Sequence, residues 1–303
     1  MKIKKLIAPL IAVLALVTLS ACTQSSPDTN VITMKGDTIT VMDVFNEGKT
    51  FPSEGTSQML QDLTFSKIFE KEYGKQVTSA QVTAEFNKTK AQYGTSFDSV
   101  LSQQGFTEDN FSIYLRRQLL QKAAIDAQAK ATQFTTANLE AAWKTYHPQV
   151  EALILSFSTK TDAQNEINSA KTNVDSFVSQ SKDKKLNQKF DSTSTTVPAE
   201  VKTAAFKLKN GEFSAPVAST DATTGAVTYY VVYMLTQQAK GTDMNKYKTQ
   251  LQNIILAQKE QDTSFVSSVI QSYLNKYAVT IKVQQFSNLF ANYAPSSSTT
   301  ASK

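Results

Sequence analysis

The first part of the chain changes from a short β pattern to helical spacing. Residues 31–41 alternate apolar and polar side chains around Lys35-Gly36-Asp37, which predicts a small hairpin. Further along, apolar side chains recur at the three- to four-residue intervals that are typical of amphipathic helices. They include Met59, Leu60, Leu63, Phe65, Ile68, Phe69, Val82, Phe86, Phe111, Tyr114, Leu115, Leu119, Leu139, Trp143 and Tyr146. We therefore expect residues 31–147 to form a mainly helical segment.

Polar residues mark where several of these helices begin and end. Thr78 and Gln81 have the spacing of a capping box, in which each side chain bonds the backbone of the other. Thr107 is placed to cap a longer helix, and Thr136 starts the next one. That last helix should end at His147, because the residue before a proline is pushed out of the helical region.

A different pattern begins at residue 148. Residues 150–157 form a short apolar run of strand length. Thr161-Asp-Ala-Gln164 has the pattern of a second capping box and predicts a helix after that strand. Residues 181–197 are polar and lack a clear period, which predicts a loop.

The remainder of this central part completes a compact unit. Pro198 is placed in the first turn of a short helix that Asn210-Gly211 is expected to stop. Residues 212–218 and 226–235 then predict two strands. Strand, helix, loop, helix, strand and strand in this order predict an α+β domain over residues 148–238.

Helical spacing resumes after this unit. Apolar residues recur from Met244 to Leu274, and residues 278–283 are strand-like. Neither this last segment nor the first one offers enough apolar side chains for a core of its own, so we expect them to pack together. The predicted fold class is α+β, with helical segments over 31–147 and 239–294 flanking the inserted domain.

The first 22 residues have the pattern of a bacterial export signal. Three lysines precede an apolar run that is too short to cross a bilayer. The run ends in Leu19-Ser20-Ala21-Cys22, which resembles the lipobox of bacterial lipoproteins, where the cysteine receives a diacylglyceryl group. We expect a signal peptide over 1–21, a lipid anchor at Cys22, a linker over 22–30 and a disordered tail over 295–303.

Composition excludes several classes of chemistry. The single cysteine and single histidine allow neither a disulfide framework nor a zinc cluster, and His147 is the only imidazole base. The formal net charge of +5 falls to +2 once the three lysines of the export signal are set aside, which is not the concentrated basic face of a nucleic-acid-binding protein. We predict no cofactor, no metal and no nucleic-acid partner.

Several motifs occur in the order found in one known family. They are the lipobox, Tyr93-Gly94, Gly105-Phe106, Leu115-Arg116-Arg117, the stretch 141–146 and, most specifically, residues 204–217 (Ala-Ala-Phe-Lys-Leu-Lys-Asn-Gly-Glu-Phe-Ser-Ala-Pro-Val). In these motifs the chain resembles the PrsA-type extracytoplasmic foldases of Gram-positive bacteria, which include the protease-maturation lipoproteins of lactic acid bacteria. The resemblance covers nearly the whole mature chain.

The resemblance implies both an architecture and partners. It implies a parvulin-type prolyl isomerase domain inserted in a helical, SurA-like chaperone module. The protein would handle unfolded or newly translocated polypeptides at the outer face of the cell membrane, held there by the lipid on Cys22. Family members often form homodimers through their helical parts, so the resemblance also implies a homodimer.

The resemblance further implies that the polar groups of a parvulin active site are missing. The two family histidines fall on Leu153 and Tyr230, and the glycine-rich segment between them has no counterpart in residues 181–197. A pocket phenylalanine is replaced by Val201. His147 lies six residues before Leu153 and cannot easily substitute. We therefore expect isomerase activity to be weak or absent and assign no catalytic residue.

Three functions remain open. The leading one is a lipid-anchored chaperone that shields apolar stretches of exported chains in a cleft between the helical module and the parvulin-like domain. The second is an active isomerase with a remodelled site that uses the Tyr230 hydroxyl. The third is a solute-binding lipoprotein, although residues 31–147 and 241–290 lack the repeated βαβ pattern of that class. The candidate residues of the peptide-binding cleft are Leu153, Val201, Phe206, Tyr230 and Met234.

Overall fold

The computed structural model describes residues 26–179, 186–221 and 225–293. The predicted signal peptide, Cys22, the start of the linker and the predicted C-terminal tail lie outside these ranges, as do residues 181–185 of the predicted loop. Within the described ranges, no helix is both long and apolar enough to cross a membrane.

The described residues combine helices with two small antiparallel sheets, and the predicted α+β class is confirmed. The helices are α1 (Val41–Thr50), α2 (Thr56–Tyr73), α3 (Ser79–Tyr93), α4 (Phe97–Gln103), α5 (Glu108–Thr132), α6 (Thr136–Thr145), α7 (Lys160–Thr172), α8 (Val174–Ser179), α9 (Ala199–Ala205), α10 (Lys248–Gln261) and α11 (Thr263–Lys276). The strands are β1 (Asn30–Met34), β2 (Asp37–Thr40), β3 (Val150–Phe157), β4 (Asn187–Phe190), β5 (Val217–Thr220), β6 (Val227–Gln237) and β7 (Thr280–Ile281).

The two ends of the described chain meet in the first sheet. Its order is β2-β1-β7, so β1 pairs with its own hairpin partner on one side and with the last strand on the other. Ile32 lies opposite Ile39 and Ile281 in these two pairings. Around this sheet, apolar side chains of α2, α5 and α11 form one buried cluster. The first and last segments of the chain therefore share one hydrophobic core.

A second contact joins the end segments beside the central domain. Tyr146, which follows α6, is buried against Tyr247 and against Leu251 of α10. The ammonium group of Lys240 lies 4.3 Å from the ring centroid of Trp143 and donates a hydrogen bond to the carbonyl oxygen of that residue. This aromatic cluster packs α6 against α10, next to the two points where the chain enters and leaves the central domain.

The central domain is a four-stranded antiparallel sheet with helices on both faces. The strand order is β4-β3-β6-β5, and β3 and β6 pair along nearly their whole lengths. Helix α9 packs on one face, where Val201 and Ala205 are buried against the sheet. Helices α7 and α8 pack on the other face through Ile167 and Phe177.

Strand β4 falls within the segment predicted as a loop, so that prediction is wrong for residues 187–190. The strand pairs with β3, and Asn187 Nδ2 donates a 2.8 Å hydrogen bond to Glu151 Oε1. Lys189 forms a 3.4 Å ion pair with the same glutamate. Among the four residues of β4, Phe190 alone is fully buried, at 1% exposure. Three of the four residues of β4 are polar, so the sequence shows no apolar period there.

Several helix ends also differ from the prediction. Helix α7 is capped by Thr159, whose side chain accepts from the Asp162 backbone, and not by a box at Thr161. Pro198 is the N-cap of α9 and not its first helical residue. Near the C-terminus, Asp262 ends α10 and caps α11, so the stretch of helical spacing from Met244 to Leu274 contains two helices.

Helix α9 and two of the later strands, β5 and β7, are shorter than predicted. Helix α9 ends at Ala205, before Asn210-Gly211. In the segment predicted as a strand over 212–218, Phe213 forms only an isolated bridge with Tyr233, and the regular strand starts at Val217. Of the strand-like residues 278–283, Thr280 and Ile281 form β7.

Replacing Ile32 by alanine tests the shared core. Ile32 is fully buried at the centre of the three-stranded sheet, so the Ile32→Ala variant should lose about 2–5 kcal/mol of unfolding free energy. Urea denaturation followed by circular dichroism measures this loss. Ile113→Ala is the matched control, because Ile113 is 43% exposed and its truncation should change the unfolding free energy by less than about 0.5 kcal/mol. Equal losses in both variants would contradict the shared core.

Candidate peptide-binding site

The α9 face of the central sheet brings most of the predicted binding residues together. On β6, Tyr230, Val232 and Met234 point to the same face, because side chains alternate along a strand. On α9, Val201 and Ala205 are one helical turn apart and pack onto that face. This packing forms one apolar cluster.

Four of the five candidates belong to this cluster, and Leu153 does not. Val201, Phe206, Tyr230 and Met234 pack together on the α9 face. Leu153 is fully buried on the opposite face of the sheet, in a cluster with Ala170, Phe177 and Tyr233. The register explains this, since Leu153 lies opposite Tyr233 on β6, and Tyr233 and Tyr230 project from opposite faces.

On β3, Ile154 has the place in this cluster that we predicted for Leu153. It is half-buried and packs with the same cluster as Tyr230. The sequence pattern did not identify it, because residues 152–155 are all apolar and therefore do not show which side chains face α9. The choice of face depends on where α9 packs.

Burial separates the supporting residues from those that a peptide could touch. Val201 and Met234 are fully buried, at 0% exposure, so they form the floor beneath the cluster. Phe206 and Tyr230 are half-buried and present part of their rings to solvent. The accessible apolar rim, which we call the α9 rim, consists of Ile154, Phe206, Leu208, Val217 and Tyr230.

His147 lies at one end of the α9 rim. Its ring stacks on that of Phe206, with centroids 4.6 Å apart and an interplanar angle of 6°. Partial burial lowers the pKa of His147, and the positive charge of Lys240 lowers it further. Both effects favour the neutral imidazole.

The backbones of His147 and Tyr230 lie near opposite ends of strand β3. Tyr230 lies opposite Ser156, near the end of β3, whereas His147 precedes the start of that strand. At about 3.3 Å per residue, strand β3 places these two backbone positions roughly 20 Å apart along its length.

A polar cluster around Asp191 lies beside His147, and the sequence pattern did not indicate it. Asp191 Oδ1 accepts hydrogen bonds from the backbone N of Thr193 at 2.8 Å and from its hydroxyl at 2.6 Å. The other carboxylate oxygen accepts from the Tyr146 hydroxyl at 3.4 Å. Burial, followed by the negative charge of Asp191, raises the pKa of Tyr146. These bonds hold the loop after β4 and join it to the end of α6.

The helical part contains a separate cavity of about 280 Å³ between α2 and α5. Its lining residues include Glu54, Gln58, Asp62, Phe65, Ser66, Phe69, Tyr114, Arg117, Gln118, Leu120 and Gln121. Glu54 Oε2 and Ser66 Oγ are buried there without a hydrogen-bond partner. Burial, together with the charges of Asp62 and Glu47, raises the pKa of Glu54 to about 7. Arg117 is engaged by Glu47 through contacts of 2.5 and 2.9 Å.

The described residues hold no group of three or more His, Cys, Asp or Glu side chains that could bind a metal ion. The α9 rim offers apolar contact and the hydroxyl of Tyr230 as means of recognition. Such a surface suits an apolar stretch of polypeptide, because burial of apolar area is favourable and is not directional.

Comparisons with known proteins identify relatives over the full length. No family model matches the chain. The chain is 50% identical over 310 residues to the foldase protein PrsA of Lactococcus lactis subsp. lactis, with 100% of both chains covered. It is 39% identical to the foldase protein PrsA of Enterococcus faecalis, over 99% of this chain and 89% of that one.

Solved structures give the same result. The crystal structure of the Lactococcus lactis foldase protein PrsA matches with a TM-score of 0.73 and 50% identity, covering 88% of this chain and 99% of that chain. The foldase protein PrsA from Streptococcus pneumoniae matches with a TM-score of 0.66 and 31% identity, covering 88% and 100%. The similarity thus includes both the helical part and the central sheet.

The buried carboxyl of Glu54 predicts a pH-dependent stability. Because its pKa is raised from 4.5 to about 7 in the folded protein, its ionisation opposes folding, and the unfolding free energy falls as pH rises through this range. Glu54→Gln should therefore be more stable than the parent chain by about 1 kcal/mol at pH 8, after allowance for partial solvation.

At pH 4, where the carboxyl is mostly protonated in both folded and unfolded chains, this advantage should nearly disappear. Urea denaturation at pH 4 and at pH 8 measures both differences. Glu140→Gln on the exposed side of α6 is the control and should show no such dependence. An advantage of Glu54→Gln that is equal at both pH values would contradict the assignment to ionisation.

Proposed function

The chain belongs to the PrsA foldase family, and on this premise we propose that it is a lipid-anchored foldase that acts mainly as a chaperone for exported proteins. Membership of the family confirms the resemblance found in the sequence. The observation that carries the proposal is the α9 rim, an accessible apolar surface supported by the buried side chains of Val201 and Met234. Its partners would be unfolded or newly translocated chains with exposed apolar stretches.

The parvulin-like domain would bind without efficient catalysis. Rotation of an X-Pro bond crosses a barrier of roughly 18–20 kcal/mol, so an isomerase must favour the twisted amide with converging polar groups. Tyr230 packs among apolar residues, Leu153 faces the other side of the sheet, and His147 stacks at the far end of the rim. The groups at or near the family's catalytic positions are therefore dispersed, which supports a loss of isomerase activity.

We assign residues 31–147 and 239–294 to one chaperone module and residues 148–238 to the inserted domain, supported by the core that the two end segments share. We also assign Cys22 as the lipid anchor on the outer face of the cell membrane, and the homodimer typical of the family as the assembly.

An active isomerase with a remodelled site is the second candidate. Tyr230 is half-buried and carries a hydroxyl on the α9 rim, where a proline ring could pack beside it. The solute-binding alternative loses its basis, because the relatives named above are foldases and the central sheet is antiparallel.

Paired assays on residues 23–303 distinguish chaperone from isomerase. We expect isomerisation of a short Xaa-Pro peptide to proceed at the uncatalysed rate, and aggregation of an unfolded exported protein to be suppressed. Tyr230→Ser should weaken this suppression several-fold, because it removes an aromatic ring from the rim. Thr228→Ser, on the same strand but outside the apolar cluster, is the control.

The opposite result would identify an enzyme. Catalysed isomerisation that is lost in Tyr230→Phe would contradict the chaperone assignment and establish the remodelled site. Catalysis that is lost in His147→Ala and retained in Tyr230→Phe would place the active site at the Phe206 end of the rim.

Substitution of Cys22 tests the lipid anchor. Cys22→Ser removes the thiol that would carry the diacylglyceryl group. When it is exported behind a signal peptide whose cleavage does not need this cysteine, the chain should therefore move from the membrane fraction of a Gram-positive host to the culture medium. Immunoblots of fractionated cells measure the distribution. Ser25→Ala, three residues away, should remain in the membrane fraction. If Cys22→Ser also stayed there, the lipid assignment would be wrong.

A further inference from the structure

Helix α1 carries an exposed apolar face close to the N-terminal end of the described chain. Phe45 is 61% exposed and Met42 is 41% exposed, which makes Phe45 the most exposed of the large apolar side chains in the described ranges. The ammonium group of Lys49 lies 5.7 Å from the centroid of the Phe45 ring. At positions i, i+3 and i+7 these three residues share one side of the helix. We call them the α1 face.

The opposite side of α1 holds the helix in place. Val41 and Val44 pack against the shared core of the helical part, and the Glu47 carboxylate is ion-paired with Arg117. At the N-terminus, Thr40 and Asp43 form a reciprocal capping box. With these contacts made, Met42 and Phe45 cannot turn inward without breaking them, so the α1 face stays on the outside.

The α1 face is also near the proposed lipid. The backbone N of Met42 donates a 3.0 Å hydrogen bond to the carbonyl oxygen of Pro27, and that of Val41 donates one of 3.0 Å to Thr29. Pro27 is five residues after Cys22. A chain spans at most about 3.6 Å per residue, so the lipid-bearing residue lies within about 18 Å of Pro27, whatever its conformation.

We propose that the α1 face docks onto the lipid bilayer beside the anchor. This inference rests on the proposed lipid attachment at Cys22 and adds a second, non-covalent contact. Met42 and Phe45 would enter the boundary between headgroups and acyl chains, as apolar faces of interfacial helices do. Lys49 would extend its ammonium group to the phosphates of anionic lipids.

The charges around the α1 face indicate that burial of apolar side chains contributes more to docking than attraction to anionic lipid. Lys49 is the cation on the α1 face, whereas Asp28 in the adjoining linker is also exposed and opposes attraction to an anionic surface. We therefore expect docking to depend strongly on Phe45 and Met42 and only modestly on anionic lipid. Docking would hold the helical module at the membrane in one orientation, instead of leaving it free to turn on its linker.

Tryptophan fluorescence on tethered protein tests this contact. A hexahistidine tag in place of Cys22 attaches the mature chain to vesicles of phosphatidylcholine and phosphatidylglycerol that contain a nickel-chelating lipid. In the Phe45→Trp variant, shallow doxyl-labelled lipids should quench the added tryptophan and its emission should shift to the blue. Ile113→Trp is the matched control, since Ile113 is also an exposed apolar residue, at 43%. Trp143 contributes equally to both variants.

The expected result is several-fold stronger quenching of Phe45→Trp than of Ile113→Trp, reduced when Met42→Ser is added. Equal quenching of the two would overturn the proposal. A blue shift of Phe45→Trp that rises with protein concentration without vesicles would also overturn it, because a second copy would then cover the face. An equivalent shift on adding an unfolded client would overturn it in favour of client binding.

The tag makes this result independent of lipid attachment at Cys22. Fractionation of the Cys22→Ser chain decides the anchor, whereas quenching on the artificial tether decides the docking. Urea denaturation of each variant confirms that it is folded, and Phe45 is exposed enough for its replacement to leave the core intact.

Discussion

The pairing of β1 with strands from both ends of the chain is the constraint on which the rest of the structure depends. β2 follows β1 directly, whereas β7 comes from more than two hundred residues later. Since β1 needs both partners to satisfy its backbone groups and to bury Ile32, the chain must return to the helical module after the central sheet. The central sheet can therefore be an independent unit placed in the middle of the chain.

Within the central unit, the alternation of side chains on β3 and β6 separates core from binding surface. One face is closed by α7 and α8, which bury Leu153 and Tyr233. The other face is covered only in part by the short helix α9, so Tyr230 and Phe206 keep part of their rings in solvent. An isomerase site would need polar groups at this opening. Here the polar cluster around Asp191 is used instead to hold a loop.

The helical module buries a polar atom without a partner and exposes a large apolar side chain. Its cavity between α2 and α5 contains the unpartnered oxygen of Glu54, while the outer side of α1 exposes Phe45. Each feature by itself lowers the free energy of unfolding, because one buries a polar atom without a partner and the other leaves apolar area in water. The exposed ring is explained by the proposed contact with the membrane.

The sequence by itself determined the helices with a strong apolar period, the hairpin around Gly36, strand β3 over residues 150–157 and the family. It did not determine β4, whose polar residues are held by Glu151, 36 residues before Asn187. Nor did it place Ile154 instead of Leu153 beside Tyr230, since both faces of β3 are apolar. Local periodicity is set by neighbouring residues, whereas strand pairing and the choice of face depend on partners that only the folded chain brings together.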